Sequence, residues 1–200
     1  MLQTLFSTPF SSATAILLAT WLWYLLVVVW LVMALAIKKA KRTETPFERL
    51  LHFVPLLFTF WLLFGGNQPF SWLYIPLLPS GAILWWIGLL LTALGIAISI
   101  WARLSLGTNW SGTVTLKDNH ELIREGLYGR IRHPIYTGIL VAFLGTGLIH
   151  SQARDLLGFL TLYATFYYKA RREESFLLHE FGSSFTDHQH HTGMFWPKFL

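Results

Sequence analysis

The chain contains no cysteine, and long parts of it contain no charged residue. Without cysteine, disulfide bonds, thiol nucleophiles and Cys-ligated metal sites are excluded. Residues 1–37 include no Asp, Glu, Lys, Arg or His, and residues 53–102 include no Asp, Glu, Lys or Arg. Water-soluble proteins do not carry such runs, which are typical of segments inside a bilayer. The 200-residue chain is therefore predicted to be a polytopic membrane protein.

Other signals are missing as well. The N-terminus lacks the basic region of a signal peptide, so we expect the first apolar run to be retained as a span. No Gly-x-Gly-x-x-Gly follows a strand-like segment, which excludes a soluble dinucleotide-binding domain of that type. The net charge of +5 reflects basic residues near the ends of spans, so we do not expect a nucleic acid as partner.

The apolar runs predict an all-α fold with about five transmembrane helices. These helices are expected at about residues 13–37, 50–64, 82–102, 134–149 and 156–174. Pro55 should interrupt the second helix, because proline removes a backbone hydrogen bond. The first three helices form an N-terminal membrane region, 1–102. The last two belong to a candidate catalytic region, 103–200. This region also includes a polar connector, 103–133, and a tail, 175–200.

Basic residues predict the orientation of these spans. Every Lys and Arg except Arg154 falls on the same side of the five predicted helices. Because basic residues favour the cytoplasmic side of a membrane, the N-terminus should lie outside. The connector, the tail and any pocket that they form should then lie in the cytoplasm.

Small residues recur at steps of three and four along the third predicted helix. They are Gly88, Thr92, Gly95, Ser99 and Ala102. Residues at these steps share one face of a helix, and small side chains let two membrane helices approach closely. We expect this seam to be a packing face rather than a substrate groove.

Charges of both signs gather where the fourth helix begins and the fifth ends. Arg132 and His133 precede Pro134, whose missing N–H suits the first turn of a helix. Glu173 and Glu174 end the fifth helix, and an antiparallel pair brings them to the same membrane face. Charges at a membrane boundary are costly without partners. The cluster therefore predicts a site for a zwitterionic ligand.

Motifs in the second half of the chain resemble the isoprenylcysteine carboxyl methyltransferase family, including its bacterial and archaeal integral membrane members. The motifs are His120-x-Leu122-Ile123, Gly126-x-Tyr128, Arg132-His133-Pro134-x-Tyr136-x-Gly138, Glu173-Glu174 and Phe181-Gly182. Together they cover about residues 104–198, whereas residues 1–102 match only as generic spans.

The resemblance implies S-adenosylmethionine as cofactor, bound at the cytoplasmic face by the connector, the last two helices and the tail. Carried over to the matching positions, the cofactor-binding residues are His120, Glu121, Leu122, Ile123, Gly126, Tyr128, Arg132, His133, Pro134, Ile135, Tyr136 and Glu173. We expect His133, near the positive end of a helix dipole, to bind the cofactor carboxylate. Glu173 should accept hydrogen bonds from the ammonium group or the ribose.

The resemblance also implies a methyl acceptor that is a lipid or is attached to one. A carboxylate acceptor is already ionised at neutral pH, so it needs mainly a cation to hold it. Family members that esterify carboxylates place an arginine one helical turn before the first glutamate, where this chain has Lys169. Lys169 and Arg172 are the candidate acceptor-binding residues, with Arg171 as a substitute. Glu174 is the candidate base for an amine acceptor.

The sequence leaves three other functions open. The first is a phospholipid or amine N-methyltransferase with the same cofactor. The second is an NADPH-dependent reductase of the sterol or quinone type, in which the Arg-His-Pro-x-Tyr element binds a dinucleotide phosphate. The third is a non-enzymatic membrane scaffold. His188, His190 and His191 do not predict a metal site, because no second set of ligands accompanies them. A prokaryotic source would place the protein in the bacterial inner membrane.

Overall fold

The computed structural model describes residues 11–35, 40–43, 45–66, 69–107, 115–117 and 122–198. Its α-helices are α1 (Ser12–Ala34), α2 (Pro46–Phe64), α3 (Ala82–Leu106), α4 (Pro134–His150), α5 (Ala153–Phe181) and α6 (Ser183–His191). Two 3₁₀ helices, Ser71–Tyr74 and Gly126–Gly129, lie in the connections. The strands β1 (Ala40–Thr43) and β2 (Thr115–Lys117) pair antiparallel. The predicted helical fold is confirmed, and this short ribbon is an addition to it.

Three helices in the described part of the chain are long and apolar enough to cross a membrane, namely α1, α2 and α3. The apolar helix α4 has 17 residues, fewer than the roughly 20 that a bilayer core requires. Helix α5 has 29 residues, with Arg154 and Asp155 in its first turn and further charged side chains from Lys169 onwards. All five predicted helices are therefore present, and a count of five spans stays a prediction.

The start of α2 is fixed by a capping box. The hydroxyl of Thr45 accepts a hydrogen bond from the backbone N–H of Glu48 at 3.3 Å. In return, the Glu48 carboxylate accepts one from the backbone N–H of Thr45 at 2.9 Å. These contacts satisfy two N–H groups that a helix end would otherwise leave unpaired.

The expected interruption at Pro55 is wrong. Helix α2 runs unbroken from Pro46 to Phe64, with Pro55 in its interior. A membrane helix tolerates an internal proline where neighbouring groups compensate for the lost hydrogen bond. Proline interrupts helices in soluble proteins, but it does not interrupt α2.

Helices α3 and α4 pack backbone to backbone along the predicted small-residue seam. A Cβ atom added to Gly95 would overlap the backbone nitrogen of Ala142. A Cβ atom added to Gly145 would lie only 2.5 Å from the carbonyl oxygen of Gly88. Glycine is the residue that permits such approaches, as in other tightly packed membrane helices. The expectation of a packing face is confirmed.

A buried polar triad joins three helices next to this seam. Trp23 of α1 donates from Nε1 to the hydroxyl of Thr146 on α4 at 3.0 Å. That hydroxyl lies 3.1 Å from the hydroxyl of Thr92 on α3. Because buried polar groups are costly when unpaired, these contacts fix the register of α1, α3 and α4.

We predict that Gly95→Ala lowers the thermal unfolding midpoint of the detergent-solubilised protein. The new methyl group overlaps backbone, and overpacking of this kind costs about 1–3 kcal/mol. Gly81→Ala is the matched control, because a Cβ atom at Gly81 would meet no heavy atom within 4 Å. Replacing a helix-interior glycine by alanine is otherwise stabilising. An unchanged or raised midpoint for Gly95→Ala would contradict the close packing.

Candidate active site

The candidate site lies where the start of α4, the polar part of α5 and the C-terminal segment meet. Gly193 pairs with Ile131 in a parallel bridge. Its carbonyl accepts from the backbone N–H of Arg132 at 2.9 Å, and the carbonyl of Met194 accepts from that of His133 at 3.0 Å. The tail is thereby folded back onto the Arg-His-Pro motif.

His133 lies between the two glutamates of α5. Its Nδ1 is 3.4 Å from Glu173 Oε2, and its Nε2 is 3.2 Å from Glu174 Oε1. Burial alone would lower the pKa of His133, but the hydrogen bonds to both carboxylates outweigh burial and raise this pKa. Two carboxylates facing the two ring nitrogens favour the imidazolium form of His133, which has an N–H donor on each nitrogen.

Glu174 connects the motif to the tail. It is 4% exposed, and its carboxylate accepts from Arg132 Nε at 2.7 Å and from Gln189 Nε2 at 3.0 Å. Arg132 also donates from Nη1 to the carbonyl of Thr192. His133 and Arg132 both contact this carboxylate and favour its ionised form. A carboxylate held this firmly in its ionised form is a weak base. The geometry favours Glu174 as a structural anchor.

Glu173 is the more accessible of the two glutamates, with 23% of its side chain exposed. The hydroxyl of Tyr136 donates to its Oε1 at 2.6 Å. Lys169, one helical turn earlier, places Nζ 3.8 Å from the same oxygen and 5.5 Å from the centre of the Tyr136 ring. An anion and a cation thus stand side by side at the start of α4, and a tyrosine ring lies against the cation.

Aromatic rings surround this charged pair. Phe166 stacks on Tyr136 with a centroid distance of 4.6 Å, and Tyr136 stacks on His133 at 5.4 Å. Phe195 of the tail contacts His133 edge-on at 6.2 Å, and Tyr163 contacts Phe195 at 5.7 Å. Such walls exclude water and strengthen the electrostatic interactions between the groups that they enclose.

The structure brings six predicted site residues together and places others elsewhere. The six are Arg132, His133, Tyr136, Lys169, Glu173 and Glu174. Tyr128 and Ile135 pack against Ala102 of α3, with Ile123 at the edge of that cluster. Pro134 is buried in the first turn of α4, while Leu122 is half-buried and Gly126 is exposed in the connector. His120 and Glu121 lie outside the described residues.

Arg172 is engaged in a contact that the sequence did not indicate. Its Nη2 lies 2.5 Å from Glu48 Oε1, which joins α5 to the start of α2. No local pattern signals this pair, since the two residues are far apart in the sequence. The same is true of Gln189, Thr192 and Phe195, whose contacts with the motif depend on how the tail folds back.

Comparison with known proteins connects this geometry to a family. The sequence model described as "Phospholipid methyltransferase" matches residues 83–184. Protein-S-isoprenylcysteine O-methyltransferase of Dictyostelium discoideum is 29% identical over 122 residues, which cover 60% of this chain and 51% of that protein. The enzyme of the same name from Schizosaccharomyces pombe is 33% identical over 91 residues, covering 44% of this chain and 39% of its own.

A solved structure shares the fold. The eukaryotic intramembrane Ras methyltransferase ICMT (isoprenylcysteine carboxyl methyltransferase) aligns with a TM-score of 0.54 and 25% sequence identity, covering 78% of this chain and 54% of that chain. The chain spans about half the length of the first of these curated relatives. The resemblance drawn from the motifs is thereby confirmed. Since the matched region extends over slightly more than half of the chain and includes the cluster from Arg132 to Glu174, the chain belongs to the phospholipid methyltransferase family.

Proposed function

We propose that this chain is an integral membrane methyltransferase that uses S-adenosylmethionine to methylate a lipophilic carboxylate of the isoprenylcysteine type. One observation carries the proposal, namely the side-by-side arrangement of Glu173 and Lys169 at the start of α4. The curated relatives, which are protein-S-isoprenylcysteine O-methyltransferases, support both the reaction and the acceptor class. The active site lies at the cytoplasmic face, as the distribution of basic residues favours.

The residues present fit the amino-acid end of this cofactor, which bears one ammonium and one carboxylate. Glu173 accepts hydrogen bonds from the ammonium or the ribose, because part of its side chain is exposed. The first turn of α4 presents backbone N–H groups and the positive end of the helix dipole to the carboxylate. His133 was expected to bind that carboxylate, but its ring nitrogens face the two glutamates. Its role in this proposal is to hold Glu173 in place.

When bound, S-adenosylmethionine supplies a methyl group on a positively charged sulfur. The chain then has to align an acceptor with that group and keep water out, rather than move protons. A carboxylate acceptor is already ionised, and Lys169 holds it by charge. The rings of Tyr136, Phe166 and Phe195 enclose the charged pair. The acceptor reaches this point along the exposed face of α5, which carries the apolar side chains of Leu160 and Tyr167.

A second candidate is the methylation of a phospholipid amine, which the description of the matching family favours. An amine is protonated at neutral pH and would be repelled by Lys169. It would also need a base, and Glu174 is already bound to Arg132 and His133. The geometry therefore favours the carboxylate.

Cofactor affinity should depend on Glu173 and on the residue that holds it. We expect Glu173→Gln and His133→Gln each to weaken S-adenosylmethionine binding by about 1.5–3 kcal/mol, the range for hydrogen bonds to charged groups. Calorimetry on the solubilised protein measures this. Glu180→Gln is the control, because Glu180 is exposed two turns further along α5. Wild-type affinity in both site variants, or competition by NADPH rather than by the demethylated cofactor, would contradict the proposed pocket.

Lys169 should distinguish the two acceptor classes. If the acceptor is a carboxylate, Lys169→Ala lowers kcat/KM for the acceptor and leaves cofactor affinity nearly intact. Lys169→Arg preserves or raises turnover, because a guanidinium binds a carboxylate with two parallel hydrogen bonds. Initial rates with a prenylated cysteine carboxylate measure both effects. Arg49→Ala, which removes an exposed positive charge near the start of α2, is the control.

An amine acceptor would give the opposite result. Removal of the Lys169 charge would then be neutral or mildly activating, and methyl transfer would be seen with a phospholipid amine. Unchanged kinetics in both Lys169 variants would mean that Lys169 only anchors α5 at the interface.

The orientation can be tested without reference to the reaction. Because the chain has no cysteine, single cysteines report their side of the membrane. Thr186→Cys in α6 should be labelled by an impermeant maleimide only after the cytoplasmic side is opened. Ser71→Cys, in the 3₁₀ helix before α3, should be labelled in intact cells. The reverse pattern would place the active site outside.

A further inference from the structure

A cavity lies at the end of the helix bundle opposite the candidate active site. It has a volume of about 570 Å³ and is enclosed by α1, the end of α2 and the turn between α4 and α5. Trp23, Tyr24 and Phe60 contribute to its apolar walls, while His150 and Arg154 are its charged or protonatable members. The volume falls within the range of about 300–1,000 Å³ that is typical of small-molecule sites.

Arg154 is an unusual residue in this position. It is the basic residue that the sequence separates from all other Lys and Arg residues, on the side of the membrane where basic residues are disfavoured. It is 8% exposed. Its Nη1 donates to the carbonyl of Gly65 at 2.8 Å, and its Nε donates to Gln152 Oε1 at 2.7 Å. Both acceptors are neutral, as is the Tyr74 ring, whose centre lies 5.4 Å from Cζ.

The neighbouring carboxylate does not balance this charge. Asp155 lies 3.1 Å from His150 Nδ1 and also accepts from the backbone N–H of Gln152 at 2.9 Å. Within the part of the chain that the structure describes, no carboxylate oxygen lies within 4.0 Å of the Arg154 guanidinium. Buried charges in proteins are ordinarily paired, because removing a charge from water is costly. The cavity thus presents a cation that lacks an anion.

We propose that this cavity binds an anionic phospholipid, with its phosphate against Arg154 and an acyl chain along the aromatic wall of α1 and α2. A guanidinium binds phosphate with two hydrogen bonds, and the three N–H groups not used by Gly65 and Gln152 suit that purpose. Tyr24 and Val27 line the cavity and are 57% and 52% exposed, so the cavity borders the lipid-facing surface of α1. The site is distinct from the cluster at the start of α4 and does not depend on the proposed function.

The test compares lipids on the full-length, delipidated protein in a neutral detergent. Phosphatidylglycerol should raise the thermal midpoint and be retained in native mass spectra, whereas phosphatidylcholine of the same chain length should do so weakly. We expect Arg154→Gln to weaken phosphatidylglycerol binding about tenfold or more, which is the loss of a charged hydrogen bond. Arg49→Gln is the control, since Arg49 is exposed at the other end of the bundle.

A second variant tests the acyl part of the site. Thr20 lines the cavity, and Thr20→Phe should fill it and weaken phosphatidylglycerol binding while Arg154 stays intact. Equal binding of the two lipids, or wild-type binding in Arg154→Gln, would overturn the proposal. If inorganic phosphate stabilised the protein as much as phosphatidylglycerol does, the site would recognise only an anion, and the proposal of a bound lipid would be overturned. If Arg154→Gln fails to fold, Thr20→Phe and the comparison of the two lipids on the wild-type protein still test the proposed lipid site.

Discussion

The pairing of Arg132 and His133 with Glu173 and Glu174 is the interaction on which the candidate site depends. Four titratable or charged side chains lie within contact of one another, and three of them are nearly buried. Each would be costly alone, and removing one partner would leave another charge uncompensated. This network holds the start of α4, the polar part of α5 and the tail in one arrangement, because each of the three supplies part of it.

The packing of α3 against α4 sets where that network lies. Glycines where α3 crosses α4 allow the two helices to approach closely. Next to them, the hydroxyl of Ser99 donates to the carbonyl of Ile135 at 3.3 Å, two residues beyond His133. A shift of α4 along α3 would break this contact and move His133 relative to α5. Helix packing deep in the membrane thus determines the geometry of a charged site at its boundary.

Much of this could be predicted from local sequence, because uncharged runs, Pro134 and the small-residue seam each act through neighbouring residues. The rest depends on residues far apart in the chain. The pair of Arg172 with Glu48, the return of the tail to Ile131 and the ribbon of β1 with β2 have no local signal. Pro55 is the instructive error, since its effect depends on what surrounds α2 rather than on proline itself.

Two adjacent and chemically identical residues show what the fold adds to the sequence. Neighbouring positions on a helix point about 100° apart, so Glu173 and Glu174 face different surroundings. Glu174 turns towards Arg132 and Gln189 and is 4% exposed, whereas Glu173 turns towards Lys169 and Tyr136 and keeps 23% of its side chain exposed. His133 touches both. Glu174 therefore fixes His133, and His133 in turn orients Glu173, the glutamate of the proposed cofactor site. This order of support gives the two carboxylates different surroundings and different tasks in the proposal, although a single one would satisfy the charge of His133.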